Sequence, residues 1–301
     1  MVIAGKKILI FGTNGQLGGS YYKLLHQKNS VIFTDLEPKL PNVRPLDFTN
    51  FSALDAAIRE IYPDIIINCV AYTAVDQAEK DTDIAMKING DAVTVIAKAA
   101  ADVGAVFIHY STDYVFDGSG LKPWLESDKT SPVNAYGRTK LAGETATVEA
   151  AGKGYVFRTQ WVYDKTGKNF VNTMLRVASE REELSVVGDQ IGAPTSSDVI
   201  AEFTLKAIDK ILAGKMAPGI YHLCCHGEVS WHDFAEEIFT QARALGRNLK
   251  VQRVKKIETK DFPTPAARPK NSRLSLTKFE AAIGESLPDW KTALIAVMRQ
   301  S

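Results

Sequence analysis

The sequence predicts an α/β chain: a doubly wound parallel sheet followed by a second, smaller and less regular α/β lobe. Three observations carry that reading. Apolar strand-like runs alternate with helix-like runs through the first half. A turn with regular glycine spacing, GTNGQLG, follows the first of those runs. Beyond residue 160 or so the strands shorten, and the loops GDQIGAPTSS, KMAPG and DFPTPAARPKNS fill with Gly, Pro and Ser.

The elements follow in order. KKILIFG, Lys6 to Gly12, is a short apolar run ending in glycine, a buried strand. QLGGSYYKLLHQK has helical spacing, and SVIFTD is a second strand ending at Asp35. NFSALDAAIREIYP opens on a capping residue and stops at Pro63, so it reads as a helix. DIIINCV is a third buried strand, and residues 82–104 form one long helix with glycine near its end. AVFIHYS is a fourth strand, NAYGRTKLAGETATVEAA a further helix, and GYVFRTQWVY a further strand. Residues 197–214 and 231–246 read as helices. Residues 1–160 then form a dinucleotide-binding domain, and 161–301 form mainly a substrate-binding lobe, with segments returning to the first domain. Right-handed crossovers place Gly12, Asp35, Cys69 to Tyr72 and Ser111 to Asp113 along one carboxyl rim.

Composition narrows the function classes. The 301 residues carry a net charge of +1, which gives no field for nucleic acid or an anionic membrane. The apolar runs are too short to span a bilayer, and MVIAGKK lacks the apolar stretch of a leader. Cys69, Cys224 and Cys225 are odd in number, so they read as reduced, buried thiols in a cytoplasmic protein. No Cys/His cluster has zinc spacing, and no metal site is expected.

Gly12, Gly15 and Gly18 follow a strand and open a helix. One permits the tight turn, one lets backbone approach a pyrophosphate, and one lets the helix pack on the sheet. This is the Rossmann-type fingerprint. Asp35 at the end of the next strand suits the ribose hydroxyls of NAD and would repel the extra phosphate of NADP. Tyr136 and Lys140 stand four apart on one helix face. A lysine ammonium there lowers the phenol's pKa and makes it a general acid for ketone reduction. Thr112, beside Ser111 at the end of the fourth strand, adds a hydroxyl donor.

At these residues the chain resembles the extended short-chain dehydrogenase/reductase family, and within it the branch that reduces dTDP-4-dehydrorhamnose. The matching segments include GTNGQLG, INCVAYTAVDQAE, STDYVFDG, NAYGRTKLAGE, RTQWVY, NFVNTMLR, VVGDQIGAPTSS and ARPKNSRL. The resemblance implies a reductase that passes hydride from NADPH or NADH to the 4-keto group of a dTDP-linked 6-deoxysugar, giving dTDP-L-rhamnose. It implies Tyr136 as proton donor, Lys140 as its tuner and ribose ligand, and Thr112 as the third catalytic group. Asn14, Gly15, Gln16 and Leu17 with the flanking glycines would line the pyrophosphate. Asp47 and Phe48 would flank the adenine, while Ala71, Tyr72 and Thr73 would line the cofactor. Asp113 would contact the sugar, and Val75, Tyr114 and Trp161 would wall it. Gln190 and Arg268 would face the diphosphate.

Other outcomes stay open. A reductase forming the C4 epimer, a 6-deoxytalose, uses the same residues, and a regulatory subunit of this fold binds cofactor without turnover. A dehydratase is disfavoured, because Tyr114 stands where relatives that dehydrate carry a glutamate after Thr-Asp. Some family members dimerise through magnesium held by glutamates, and Ser20 stands where one such carboxylate is expected. Monomer and homodimer both remain open.

Overall fold

The computed structural model describes residues 5–28, 30–150 and 152–300. The leader reading and the last residue of the helix expected to reach Ala151 fall partly outside them. Seven parallel strands form the central sheet. Its first strands are β1 (Ile8–Phe11), β2 (Val31–Asp35), β3 (Val43–Pro45), β4 (Ile65–Asn68), β5 (Val106–Thr112) and β6 (Lys153–Thr159). The strand Gly219–His222 joins the edge beside β6, so chain beyond residue 160 returns to the first sheet. β3 is a strand that apolar patterning could not show: Val43, Arg44 and Pro45 sit on the open edge, where a proline costs no ladder bond.

Both faces of the sheet are covered. α1 (Gln16–Leu25) packs on one face, and α2 (Phe51–Ile61) on the other. Asn50 caps α2 by accepting the Ala53 N–H, and Tyr62 ends it in a left-handed turn before Pro63. After β4 come the short α3 (Val75–Ala78) and α4 (Thr82–Met86). The single helix expected over 82–104 runs without a gap to Val103, and a π turn occupies Lys87–Asp91 between α4 and α5 (Ala92–Val103). Within the π turn, Asn89 turns its amide to backbone outside the helix. α6 (Ala135–Glu149) lies over the end of β5.

The second lobe has its own core of Tyr163, Val171, Phe234, Ile238, Trp290 and Leu294. It is built from α7 (Phe170–Glu180), α9 (Trp231–Ala244) and three two-stranded ribbons, one pairing Glu183–Val187 with Arg253–Ile257. Between α7 and α9 in sequence, α8 (Ser197–Leu212) packs back against α1 under the first sheet. Ser20, where a carboxylate was expected, is buried in that contact and bonds Ser197 Oγ and Asp198 Oδ1, each at 2.9 Å. Of the three cysteines, all free, Cys224 and Cys225 are buried as expected but Cys69 is only half-buried. Among the described residues no helix is long and apolar enough to cross a membrane.

Candidate active site

The glycine turn fits a dinucleotide. Gly12 takes φ +83°, and a Cβ on Gly18 would lie 1.9 Å from the Gly12 carbonyl oxygen. Only bare backbone fits, and no side chain caps the N-terminus of α1, so its first N–H groups face the loop. Asn14 and Gly15 are exposed there, while Gln16, which accepts from Asn169, and Leu17, which packs against the core, are half-buried. Asp35 accepts the Asn14 backbone N–H at 2.8 Å, and the Asn14 amide donates to the Glu37 carbonyl, so loop and acid are tied together. Asp47 closes its own turn by accepting the Thr49 N–H and hydroxyl, and Phe48 is buried edge-on against Phe11.

Ala71, Tyr72 and Thr73 follow β4 along the rim. Tyr72 is clamped by a residue that the sequence reading missed. Asn89 Oδ1 accepts the Tyr72 N–H, and its amide donates to the Tyr72 carbonyl and to Thr139 Oγ1 on α6. An asparagine followed by glycine inside a long apolar helix pattern was the available signal.

β5 carries Thr112 and α6 carries Tyr136 and Lys140, and the Thr112 hydroxyl bonds Tyr136. Asn134 caps α6 by accepting the Gly137 N–H, while its amide donates to the Ala267 carbonyl across the lobes. Thr112 Oγ1 donates to Asp113 Oδ1, and its oxygen accepts the Tyr114 N–H. Asp113 also accepts from Ser272 of the second lobe. Burial nevertheless pushes the Asp113 carboxyl up to about 6. Tyr136 meets Tyr114 edge-on, ring centres 5.7 Å apart. Lys140 Nζ donates to the Tyr110 carbonyl at 2.6 Å and lies 3.5 Å from His109 Nε2.

The expected lowering of the Tyr136 pKa is not met. Burial and the Asp113 charge push the phenol above its ordinary value, and only the Thr112 hydroxyl pulls it down. Burial acts on Lys140 too, and holds its ammonium down to about 8 despite the Glu144 charge. A lysine one turn away was expected to lower the phenol's pKa, but the ring is buried and desolvation is the larger effect.

Beside these groups opens a cavity of about 310 Å³, lined by Asp76, Tyr114, Gln190, Trp231, Phe262 and Arg268 among others. Val75 precedes Asp76 on α3. Trp161 does not line this cavity; it stacks on Trp231 at 3.5 Å, with φ +48°. Gln190 is occupied at both ends of its amide, accepting from Trp231 Nε1 and donating to Thr259 Oγ1, so it fixes the Trp231 ring. Arg268 donates to Asp76 at 2.8 Å and to the Ala266 carbonyl at 3.0 Å. Asp76 had drawn no attention in the sequence. The group nearest to a metal cluster among the described residues is His232, Asp233 and Glu236, with Lys256 Nζ 3.6 Å from Asp233.

A parallel sheet with a bare glycine turn and a Tyr–Lys helix at one rim defines a nicotinamide-dependent oxidoreductase of the short-chain type. Residues 6–301 match the profile of the RmlD substrate binding domain, and the chain belongs to that family. It is 44% identical over 97% of both chains to the dTDP-4-dehydrorhamnose reductases of Shigella flexneri and Escherichia coli K12. Among solved structures, the Clostridium acetobutylicum dTDP-4-dehydrorhamnose reductase is 41% identical, with a TM-score of 0.88 over 97% of this chain and 98% of that one. The Bacillus anthracis dTDP-4-dehydrorhamnose reductase, in complex with NADP, is 37% identical, with a TM-score of 0.86 over 98% and 99%.

Proposed function

We propose that the chain reduces dTDP-4-dehydro-L-rhamnose to dTDP-L-rhamnose with NADPH or NADH, a step of dTDP-rhamnose biosynthesis. The observation that carries this is the hydrogen bond between Thr112 and Tyr136 on α6, the helix that also carries the buried Lys140, next to Tyr114 of the cavity that Arg268 lines. In this reading residues 1–160 hold the dinucleotide and most of 161–301 hold the sugar nucleotide. When bound, reduced nicotinamide supplies the hydride.

The chain's own groups do the rest. The glycine turn would hold the pyrophosphate of the cofactor, with Asn14, Gly15, Gln16 and Leu17 around it and Asp35 toward the ribose. Asp47 and Phe48 would border the adenine, and Ala71, Tyr72 and Thr73 the nicotinamide side. Tyr136 gives its proton to the 4-oxygen as charge builds there, and the Lys140 ammonium favours the phenolate left behind. The Thr112 hydroxyl steadies the same oxygen. Asp113, Val75 and Tyr114 border the sugar, and Trp161 acts through Trp231. Arg268 uses two of its five N–H donors on Asp76 and Ala266, which leaves others for the diphosphate.

Reduction is followed by loss of reduced-nicotinamide absorbance with the 4-keto sugar nucleotide. Tyr136→Phe is expected to bind cofactor normally and to lose turnover by about a hundredfold or more, the scale of general acid catalysis. Equal rates for the two proteins would sink the assignment of Tyr136.

A further inference from the structure

We infer that the His109 ring is a positioning residue for the reduction: through its Nε2–H it tunes how tightly Lys140 holds its proton. This rests on the Tyr136–Lys140 reading above.

A chain of buried hydrogen bonds sets the ring's tautomer. Val70 N–H donates to Asn68 Oδ1 at 2.9 Å, which fixes the orientation of that amide. The Asn68 NH₂ then faces His109 Nδ1 at 3.2 Å, so Nδ1 must accept. Burial together with the Lys140 charge holds the imidazole well below its usual value, so the ring is neutral. Its one proton is therefore on Nε2, 3.5 Å from Lys140 Nζ. A donor faces a donor when Lys140 is an ammonium. When Lys140 is an amine, its lone pair can accept. The ring thus favours the amine and adds to the effect of burial.

The packing leaves neither group room to turn away. A Cβ on Gly143 would sit 3.0 Å from His109 Nε2 and 2.3 Å from the Asn89 carbonyl oxygen, so α6 presses directly on the ring. The groups around Lys140 are few. β5 offers His109 and the Tyr110 carbonyl, which accepts from either form of the amine. α6 itself offers Tyr136 and Glu144. Glu144 works against His109 and strengthens the ammonium, but its carboxylate is shared with Arg158 of β6 through two hydrogen bonds. On the π turn, the uncharged Asn89 is engaged with Thr139.

The test is the pH profile of kcat/KM. In His109→Gln the side-chain amide can turn its oxygen toward Lys140 and accept from the ammonium. The alkaline fall in activity is then expected to move up by about one pH unit, the size of one hydrogen bond gained by a charged group. A uniform loss of activity at every pH, with the alkaline fall unmoved, overturns the inference. If Tyr136→Phe has meanwhile lost turnover, the reductase assignment survives that failure. A second measurement on the unaltered protein does not depend on the variant folding: ¹⁵N spectra of the His109 ring, assigned by its contacts to Asn68 and Lys140. The neutral Nε2–H tautomer at pH 7 is expected. An Nδ1–H tautomer or a charged ring there overturns the inference.

Discussion

Tyr136 and Lys140 share a helix face, and the same burial drives their proton affinities in opposite directions. Lys140, held down to about 8, is the member that titrates near neutrality. A lysine loses charge as pH rises, so kcat/KM is expected to fall as pH passes through about 8, read from initial rates across a pH series. Asp113 sits on the acid side. Its carboxyl, pushed up to about 6, takes a proton as pH falls through that value. An acid limb near pH 6 is therefore expected, and Asp113→Asn should abolish it; an unchanged limb would assign it elsewhere. Asp76 is the other informative residue. It holds one edge of Arg268, and its second oxygen accepts the Ala266 N–H. Asp76→Asn loses a partly exposed ion pair, so KM for the sugar nucleotide should rise several-fold with kcat and cofactor binding little changed. A matching loss of cofactor affinity would mean that the change is a general disturbance of the rim.

At the scale of elements, α6 matters most. It carries Tyr136 and Lys140, and two of its glycines let it lie against its neighbours. A Cβ on Gly137 would come within 2.2 Å of the Tyr114 carbonyl oxygen, and one on Gly143 would strike the π turn and His109. Gly143→Ala forces the helix off that support. A loss of about 1–3 kcal/mol is expected from denaturant unfolding, the usual cost of overpacking, together with reduced turnover. The segment 259–270 is the second element that decides the site. Asp189 accepts from Thr259 and pairs with Lys270, closing both ends of this proline-containing loop. Asp76 and Asn134 pin its middle to the first lobe.

At the scale of the molecule, the buried Glu144–Arg158 pair joins α6 to β6 by two hydrogen bonds of 2.9 and 2.7 Å, with Arg158 over the Phe116 ring. Glu144→Ala strands a guanidinium in the core and is expected to cost about 3–5 kcal/mol of stability, measured by unfolding. Much of this architecture was legible in the sequence. Apolar runs marked β1, β2, β4 and β5 because strands buried on both faces read as continuous hydrophobic segments. Glycine spacing marked the cofactor turn, and the spacing of Tyr136 and Lys140 marked one helix face, because these are local geometry. Edge strand β3 carried no such signal, and the π turn hid inside an unbroken helical pattern. The direction of the Tyr136 shift was also out of reach. Spacing reports that a lysine is near, whereas the size of desolvation depends on what folds over the site from elsewhere in the chain. Local patterning thus sufficed for most of the sheet, for the glycine turn and for placing Tyr136 and Lys140 on one helix face. The packing of distant segments set the rest: Trp231 stacks on Trp161, Asp76 holds Arg268, and the His109 ring lies 3.5 Å from Lys140. Those three contacts join residues 31 to 192 positions apart, and separations of that length leave no periodicity to read.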